Sequence, residues 1–322
     1  MRPLNSVGEK MEELIDSLTI LTDPSILMSQ IWSGISLSSF IVLVSLGVNL
    51  IFGVSRVLNL AQGSFYLLGA YIMYSFLGYS NSLLWYATGL VVVFLSSMVI
   101  GGLCEVLVMR RIYKKGTTTQ LVTTFGMMLV LDVSVRLIWG ASFKQVIKPE
   151  GLGTSFDVMD SPIPIYSVAT LVIVLVLLAI LVSVLKWSRW GLNLKAASTD
   201  LEMLDALGTD ANKLMTQVFS VSAGLAGLAG ALAAPMLSVG LDMGRNVLTS
   251  SLVVIVIGGM GSLMGSAIGC LIVGQLLSFG ALVVPSFSTA LTYLVMILVL
   301  CFRPWGLFGR SEGRVEDVGV GQ

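Results

Sequence analysis

Histidine is absent from this 322-residue chain, and with it go imidazole general bases, His-ligated metal sites and Ser-His or Cys-His nucleophile pairs. Cysteine is scarce. Cys104, Cys270 and Cys301 stand singly in apolar stretches, which suggests packing or lipid-facing residues and neither a disulfide framework nor a CxxC site. Charge is scarce too, at 11% of residues against about 25% in a soluble domain. Lys plus Arg balances Asp plus Glu at 18 each, so no global basic field invites nucleic acid. No GxxxxGK[ST] loop and no GxGxxG after a strand is found, so the chain has no evident nucleotide site of its own. What is abundant is apolar surface: 56% hydrophobic residues and a mean hydropathy of +0.94, the profile of an integral membrane protein.

A hydrocarbon core about 30 Å thick takes about 20 apolar residues per helical crossing. Runs at 31–54, 58–79, 83–109, 120–140, 163–185 and 214–237 each qualify. The stretch 248–284 is too long for one span and is interrupted at Gly258-Gly259-Met260-Gly261, which predicts two shorter segments; a last span follows at 286–302. The expected fold class is all-α, a polytopic membrane protein of eight or nine transmembrane helices with broken or re-entrant segments. One membrane domain covers 31–302, between an N-terminal tail at 1–30 and a C-terminal tail at 303–322, and its loops are too short to fold alone. Glu9, Glu12, Glu13, Asp16 and Asp23 stand where a cleavable signal would be basic. Leu14, Ile15, Leu18 and Leu21 lie at helical spacing and predict a short interfacial helix.

Loop cations set the orientation, because Lys and Arg are retained on the cytoplasmic side. Placing Arg110-Arg111-Ile112-Tyr113-Lys114-Lys115 there also puts Arg56, the 186–213 loop and the C-terminal tail in the cytoplasm. Only Arg2, Lys10, Lys144, Lys148 and Arg245 then lie outside, with Arg136 inside a span.

Few polar groups remain within the membrane. Asp132 and Arg136 are four apart on one expected helix, so they share a face and can neutralise each other; such a pair either orients the helix or serves a substrate path. Glu105 is placed to snorkel or to pair with Arg110. Glycine, at 34 residues, is clustered: Gly224, Gly227 and Gly230 form one smooth stripe and Gly261, Gly265 and Gly269 another, both suited to close helix approach. A helix broken at Gly258 and Gly259 exposes backbone groups that must line a cavity or be buried in protein. A second candidate break has polar Asn59, Gln62 and Ser64 leading an apolar helix. Two interrupted segments in the two halves of a chain point to a substrate site between them, with an ordinary capped helix start as the alternative. Loop 186–213 carries an amphipathic segment ending in Gly208, which suits docking onto a soluble partner.

Four segments carry a resemblance. Asn59-Leu60-Ala61-Gln62-Gly63-Ser64-Phe65-Tyr66-Leu67-Leu68-Gly69-Ala70-Tyr71, residues 191–208, Val256-Ile257-Gly258-Gly259-Met260-Gly261-Ser262 and Arg303-Pro304-Trp305-Gly306-Leu307-Phe308-Gly309 look like the permease subunits of branched-chain amino-acid ABC importers. The similarity runs in register from about residue 32 to 309 and is closer to the shorter of the two paired permeases. It implies a complex in the plasma (inner) membrane of a prokaryote: this chain with a second permease subunit or a copy of itself, two ATP-binding cassette subunits, and an extracytoplasmic solute-binding protein that delivers an amino acid. It also implies that the family's cytoplasmic coupling helix maps onto 196–208, so that Ala196, Ala197, Glu202, Ala206, Leu207 and Gly208 meet the ATPase. The chain itself would do no covalent chemistry and use no cofactor. Members of the family commonly have His and Glu where Gln62 and Ser64 stand, a basic residue at Leu192 and a Lys near Ser250. These departures leave urea, short amides or other small polar solutes open as substrates. An ion-coupled secondary transporter using Asp132, Arg136 and Glu105 is a further alternative, although it leaves the coupling-type loop unexplained. A membrane-embedded enzyme lacks the acids, bases or ligands it would need.

Overall fold

The computed structural model describes residues 23–78, 81–113, 115–158, 161–283 and 285–309. The interfacial helix expected around Leu14 to Leu21 lies outside them. The helices are α1 (Pro24–Ser55), α2 (Gln62–Leu77), α3 (Leu83–Leu107), α4 (Thr117–Trp139), α5 (Ile165–Trp187), α6 (Arg189–Thr199), α7 (Leu201–Ala206), α8 (Ala211–Ala233), α9 (Met243–Gly258), α10 (Leu263–Val283) and α11 (Ser288–Phe302). Among the described residues α1, α3, α4, α5, α8 and α10 are long and apolar enough to cross a membrane, with α9 and α11 as shorter apolar helices. The protein is a polytopic all-α membrane protein.

Several features differ from the sequence expectation. Helix α1 starts at Pro24, ahead of residue 31, because Asp23 caps it by accepting from the Ser25 N–H at 2.9 Å and proline is favoured in a first turn. Helix α2 starts at Gln62, not at residue 58: the Asn59 Oδ1 accepts from the Ala61 N–H at 3.1 Å and holds the preceding residues in a turn. Its 16 residues rise about 24 Å, short of a full crossing. Between α4 and α5 the chain forms an unforeseen antiparallel hairpin, β1 (Ser155–Val158) with β2 (Ser161–Pro164), in the register Ser155 to Pro164 and Val158 to Ser161.

Helices α1 and α8 form the centre, with 83% and 78% of their most apolar windows buried, whereas α3, α4 and α5 bury 22% each and turn the rest outward. Three residues along a helix turn about 300°, so each glycine of Gly-Leu-Ala-Gly-Leu-Ala-Gly faces about 60° away from the last. Gly224 faces Phe94 and Met98 of α3, Gly227 faces Ser97 of α3, and Gly230 has rotated onto the Tyr66 carbonyl of α2. One short motif therefore seats α8 against two helices, and Phe65 of α2 closes the contact edge-on against Phe219, with ring centroids 6.1 Å apart.

The other glycine stripe is only partly a packing stripe. Gly265 and Gly269 meet Gly258 and Val254 of α9, but a β-carbon at Gly261 would meet no neighbour, and this residue sits at φ +81° as a turn residue. The break between α9 and α10 is closed by protein on two sides. Asn49 of α1 accepts from the Gly261 N–H at 3.1 Å and donates to Ser266. The chain after α11 returns so that the Leu307 and Phe308 N–H groups donate to the carbonyls of Ile257 and Gly258 at 2.8 and 3.0 Å. This close approach needs glycine on both strands, since Gly259 at φ +101° and Gly306 at φ +77° stack backbone on backbone.

Candidate functional site

The five residues expected to line a path come to lie in helix contacts. Asn59, Gln62 and Ser64 are almost fully buried, at 1%, 0% and 1% exposure. The Gln62 amide donates to the Ser222 carbonyl of α8 at 2.7 Å, and the Ser222 hydroxyl donates to the Gly47 carbonyl of α1 at 2.6 Å, which ties three helices at one node. Gly258 and Gly259 are buried, their faces covered by Gly265 and Gly309, and the carbonyls of Ile257 and Gly258 accept from Leu307 and Phe308. The break is of the kind buried in protein.

Asp132 and Arg136 do not pair. The Ser64 hydroxyl donates to the Asp132 carboxylate at 2.6 Å, which draws the acid toward α2, while Arg136 is exposed on the next turn of α4. Sharing a helix face was not enough: Ser64 of α2 takes the carboxylate instead. Glu105 does meet Arg110, at 3.3 Å.

A polar-walled cavity lies elsewhere, between α9, α1 and α11, with a volume of about 640 Å³. Asp242, Asn246, Thr249 and Ser250 present one wall from the N-terminal half of α9, and Thr289 and Thr292 of α11 face it. Leu37, Phe40 and Ile41 of α1 form an apolar side. The hydroxyl protons are committed: Thr249 donates to the Arg245 carbonyl at 2.9 Å, Ser250 to the Asn246 carbonyl at 3.0 Å and Thr292 to the Ser288 carbonyl at 3.3 Å. Each hydroxyl oxygen therefore keeps lone pairs with which it can accept. Asp242 adds a carboxylate at the rim, 4.0 Å from the exposed Arg245 guanidinium, a pairing too solvated to neutralise it strongly. The result is a site rich in hydrogen-bond acceptors beside an apolar wall, suited to a small solute that donates N–H bonds and carries a hydrocarbon part.

Sequence reading missed this wall because it began the span at residue 248 and left Asp242 to Val247 to a loop. The signal was there: Asp242, Asn246 and Thr249 recur at spacings of four and three, one face of a helix that ends in apolar Val253 and Val254.

At the other end of the bundle, near Arg110, Arg111 and Arg56, two short helices project where one was expected. Helix α6 begins at Arg189, capped by Ser188, whose hydroxyl accepts from the Gly191 N–H at 3.1 Å. It stops at Asp200, whose carboxylate accepts from the Met203 N–H at 2.9 Å and opens α7. The resulting elbow is held to the bundle by Ala197 and Leu204, 3% and 6% exposed, and by the Arg56 guanidinium, which donates to the Ser198 carbonyl at 3.2 Å. Ala197 is thus part of the anchor and not of the outer face. Ala196, Ala206, Leu207 and Gly208 are exposed, as are Leu192 and Met203. Glu202 lies within α7; its side chain is outside the described set. An elbow that holds Leu192, Met203 and Leu207 out in solvent, anchored from behind, has the form of a docking surface.

The family described as branched-chain amino acid transport system, permease component, matches residues 30–300. The high-affinity branched-chain amino acid transport system permease protein LivH of Salmonella typhimurium is 27% identical over 310 residues, 90% of this chain and 97% of the relative. The corresponding BraD protein of Pseudomonas aeruginosa is 26% identical over 308 residues, 90% and 98%. A probable LivH of the archaeon Methanocaldococcus jannaschii is 25% identical over 291 residues, 84% and 89%. No solved structure matches the chain.

Proposed function

Because the chain belongs to the family of branched-chain amino acid transport permease components, we propose that it is the membrane subunit of an ATP-driven importer for branched-chain or related amino acids, in the inner membrane of a prokaryote. The observation that carries the ATP-driven reading is the α6–α7 elbow: an anchored, outward-facing apolar surface at the basic end of the bundle, on a chain without a nucleotide site of its own. Two ATP-binding cassette subunits dock there. The cavity beside α9 forms one wall of the path, completed by a second permease subunit or a second copy of this chain, and a solute-binding protein delivers substrate from the opposite side. The ammonium group of an amino acid meets Asp242, Asn246 and the hydroxyl oxygens, and its side chain lies along Leu37, Phe40 and Ile41. Asn59, Gln62 and Ser64 act on the path from behind, by fixing α2 against α8 and α4.

One observation favours a second substrate class. Among the described residues no Lys or Arg lines the cavity, so a carboxylate meets no cation from them and a neutral amide or urea suits the same acceptors. Uptake of labelled leucine into proteoliposomes holding the purified complex, with propionamide and urea as competitors, separates the two. Replacing Asn246→Leu together with Ser250→Val removes polar groups from the wall without adding much volume. Leucine uptake is expected to fall about tenfold or more, the effect of losing one to two net hydrogen bonds, while the purified complex keeps its thermal stability. Wild-type uptake in that variant contradicts the assignment of the path to this cavity.

A further inference from the structure

Glu105 is a fully buried carboxylate near the end of α3, at 0% side-chain exposure. A carboxylate persists out of water only with partners. Its Oε2 accepts from the Thr216 hydroxyl of α8 at 2.6 Å and lies 3.3 Å from Arg110 Nη2, which also donates to the Thr216 oxygen at 2.6 Å. The three side chains close a triangle that joins α3 to α8. Its Oε1 has no partner. Tyr113 is half-buried beside the triangle, and its phenol is held above the ordinary tyrosine range by desolvation first and by the Glu105 charge second.

Position gives the triangle its meaning. Helix α8 starts at Ala211, capped by Asp210, immediately after the α6–α7 elbow, and Thr216 is in its second turn. Beyond Thr216 the two helices meet through small residues, Gly102 on Ser220 and Gly101 on Ala223. Among the described residues no other side-chain hydrogen bond joins α3 to α8. The tie is also reversible, because Thr216 has one proton and two acceptors in reach: Glu105 at 2.6 Å and the carbonyl of Asn212 in its own helix at 2.9 Å. Rotating that O–H hands the proton from Glu105 to Asn212 without moving a heavy atom and leaves Arg110 alone bridging Glu105 to Thr216.

We propose that Glu105 is a positioning residue for energy coupling: through Thr216 and Arg110 it makes α3 travel with α8 when the elbow is displaced, so that one push at the elbow moves two helices. This rests on the reading of the elbow as the ATPase dock. The test uses the complex purified through a tag on this chain, reconstituted in proteoliposomes, with recovery, ATP hydrolysis and leucine uptake measured on the same samples. Glu105→Gln and Thr216→Val are expected to assemble in normal amount and to hydrolyse ATP within about twofold of wild type, yet to transport about tenfold less leucine per ATP. Thr216→Ser, which keeps the hydroxyl, is expected to restore the ratio. Unchanged uptake per ATP in both variants, or uptake and hydrolysis falling together with recovery, overturns the inference and leaves the elbow reading standing. A wild-type complex that recovers no ATPase subunit and hydrolyses no ATP removes the elbow reading, and the inference with it.

Discussion

Adding a single methyl group at Gly69 is expected to destabilise the folded protein severely. A β-carbon there would overlap the backbone carbonyl of Gly227, and one at Gly230 would overlap that of Tyr66. Both obstacles are backbone atoms of buried helices, which no change of side-chain rotamer can clear. Overpacking a tight core usually costs about 1–3 kcal/mol, and the figure is at its upper end or beyond when helix axes must separate. Since α8 also holds α3 through Gly224 and Gly227, parting α2 from α8 loosens the centre of the bundle. Gly69→Ala and Gly230→Ala should each lose most of the monodisperse protein after detergent extraction, or melt at least about 5 °C lower if it survives. Gly126→Ala, where a β-carbon meets nothing within 4 Å, should behave as wild type and serves as the control.

The second large effect is functional. Gly208 ends α7 at φ +93° and has open space around it, so Gly208→Arg carries a backbone penalty of about 1 kcal/mol and no steric clash inside the chain. The variant should insert and fold. In the docked complex the same side chain drives a bulky charge into the centre of an apolar contact beside Leu207 and Met203, where an unpaired buried charge costs several kcal/mol. Uptake is expected to fall at least about a hundredfold, with unchanged amounts of the chain in the membrane. Normal uptake would show that no partner covers this part of the elbow.

The sequence made the membrane class plain because charge and histidine are nearly or wholly missing, and helical runs of that length have no other solvent. The helical part of loop 186–213 was legible from its spacing, and the structure adds that it is two helices with Leu192, Met203 and Leu207 exposed. What stayed hidden was pairing across helices. Asp132 and Arg136 sit on one face, yet Ser64, 68 residues earlier in the chain, takes the acid instead. Gln62 has the polarity of a path residue, but Ser222 buries it. The glycine break at residue 258 has the sequence form of an open site, and only the return of Leu307 and Phe308 shows its carbonyls occupied. The wall of α9 was missed for a simpler reason: a span counted by hydropathy begins where the apolar run begins, and the polar first turns of a helix that lines a cavity fall outside it.

The measurement that tests the account most directly is leucine uptake by proteoliposomes containing the complex purified through this chain, with its solute-binding protein on the outside and ATP sealed inside, in the absence of any ion gradient. Accumulation that requires ATP and stops with Gly208→Arg is the predicted result. Uptake that proceeds without ATP and follows an imposed proton or sodium gradient would contradict it.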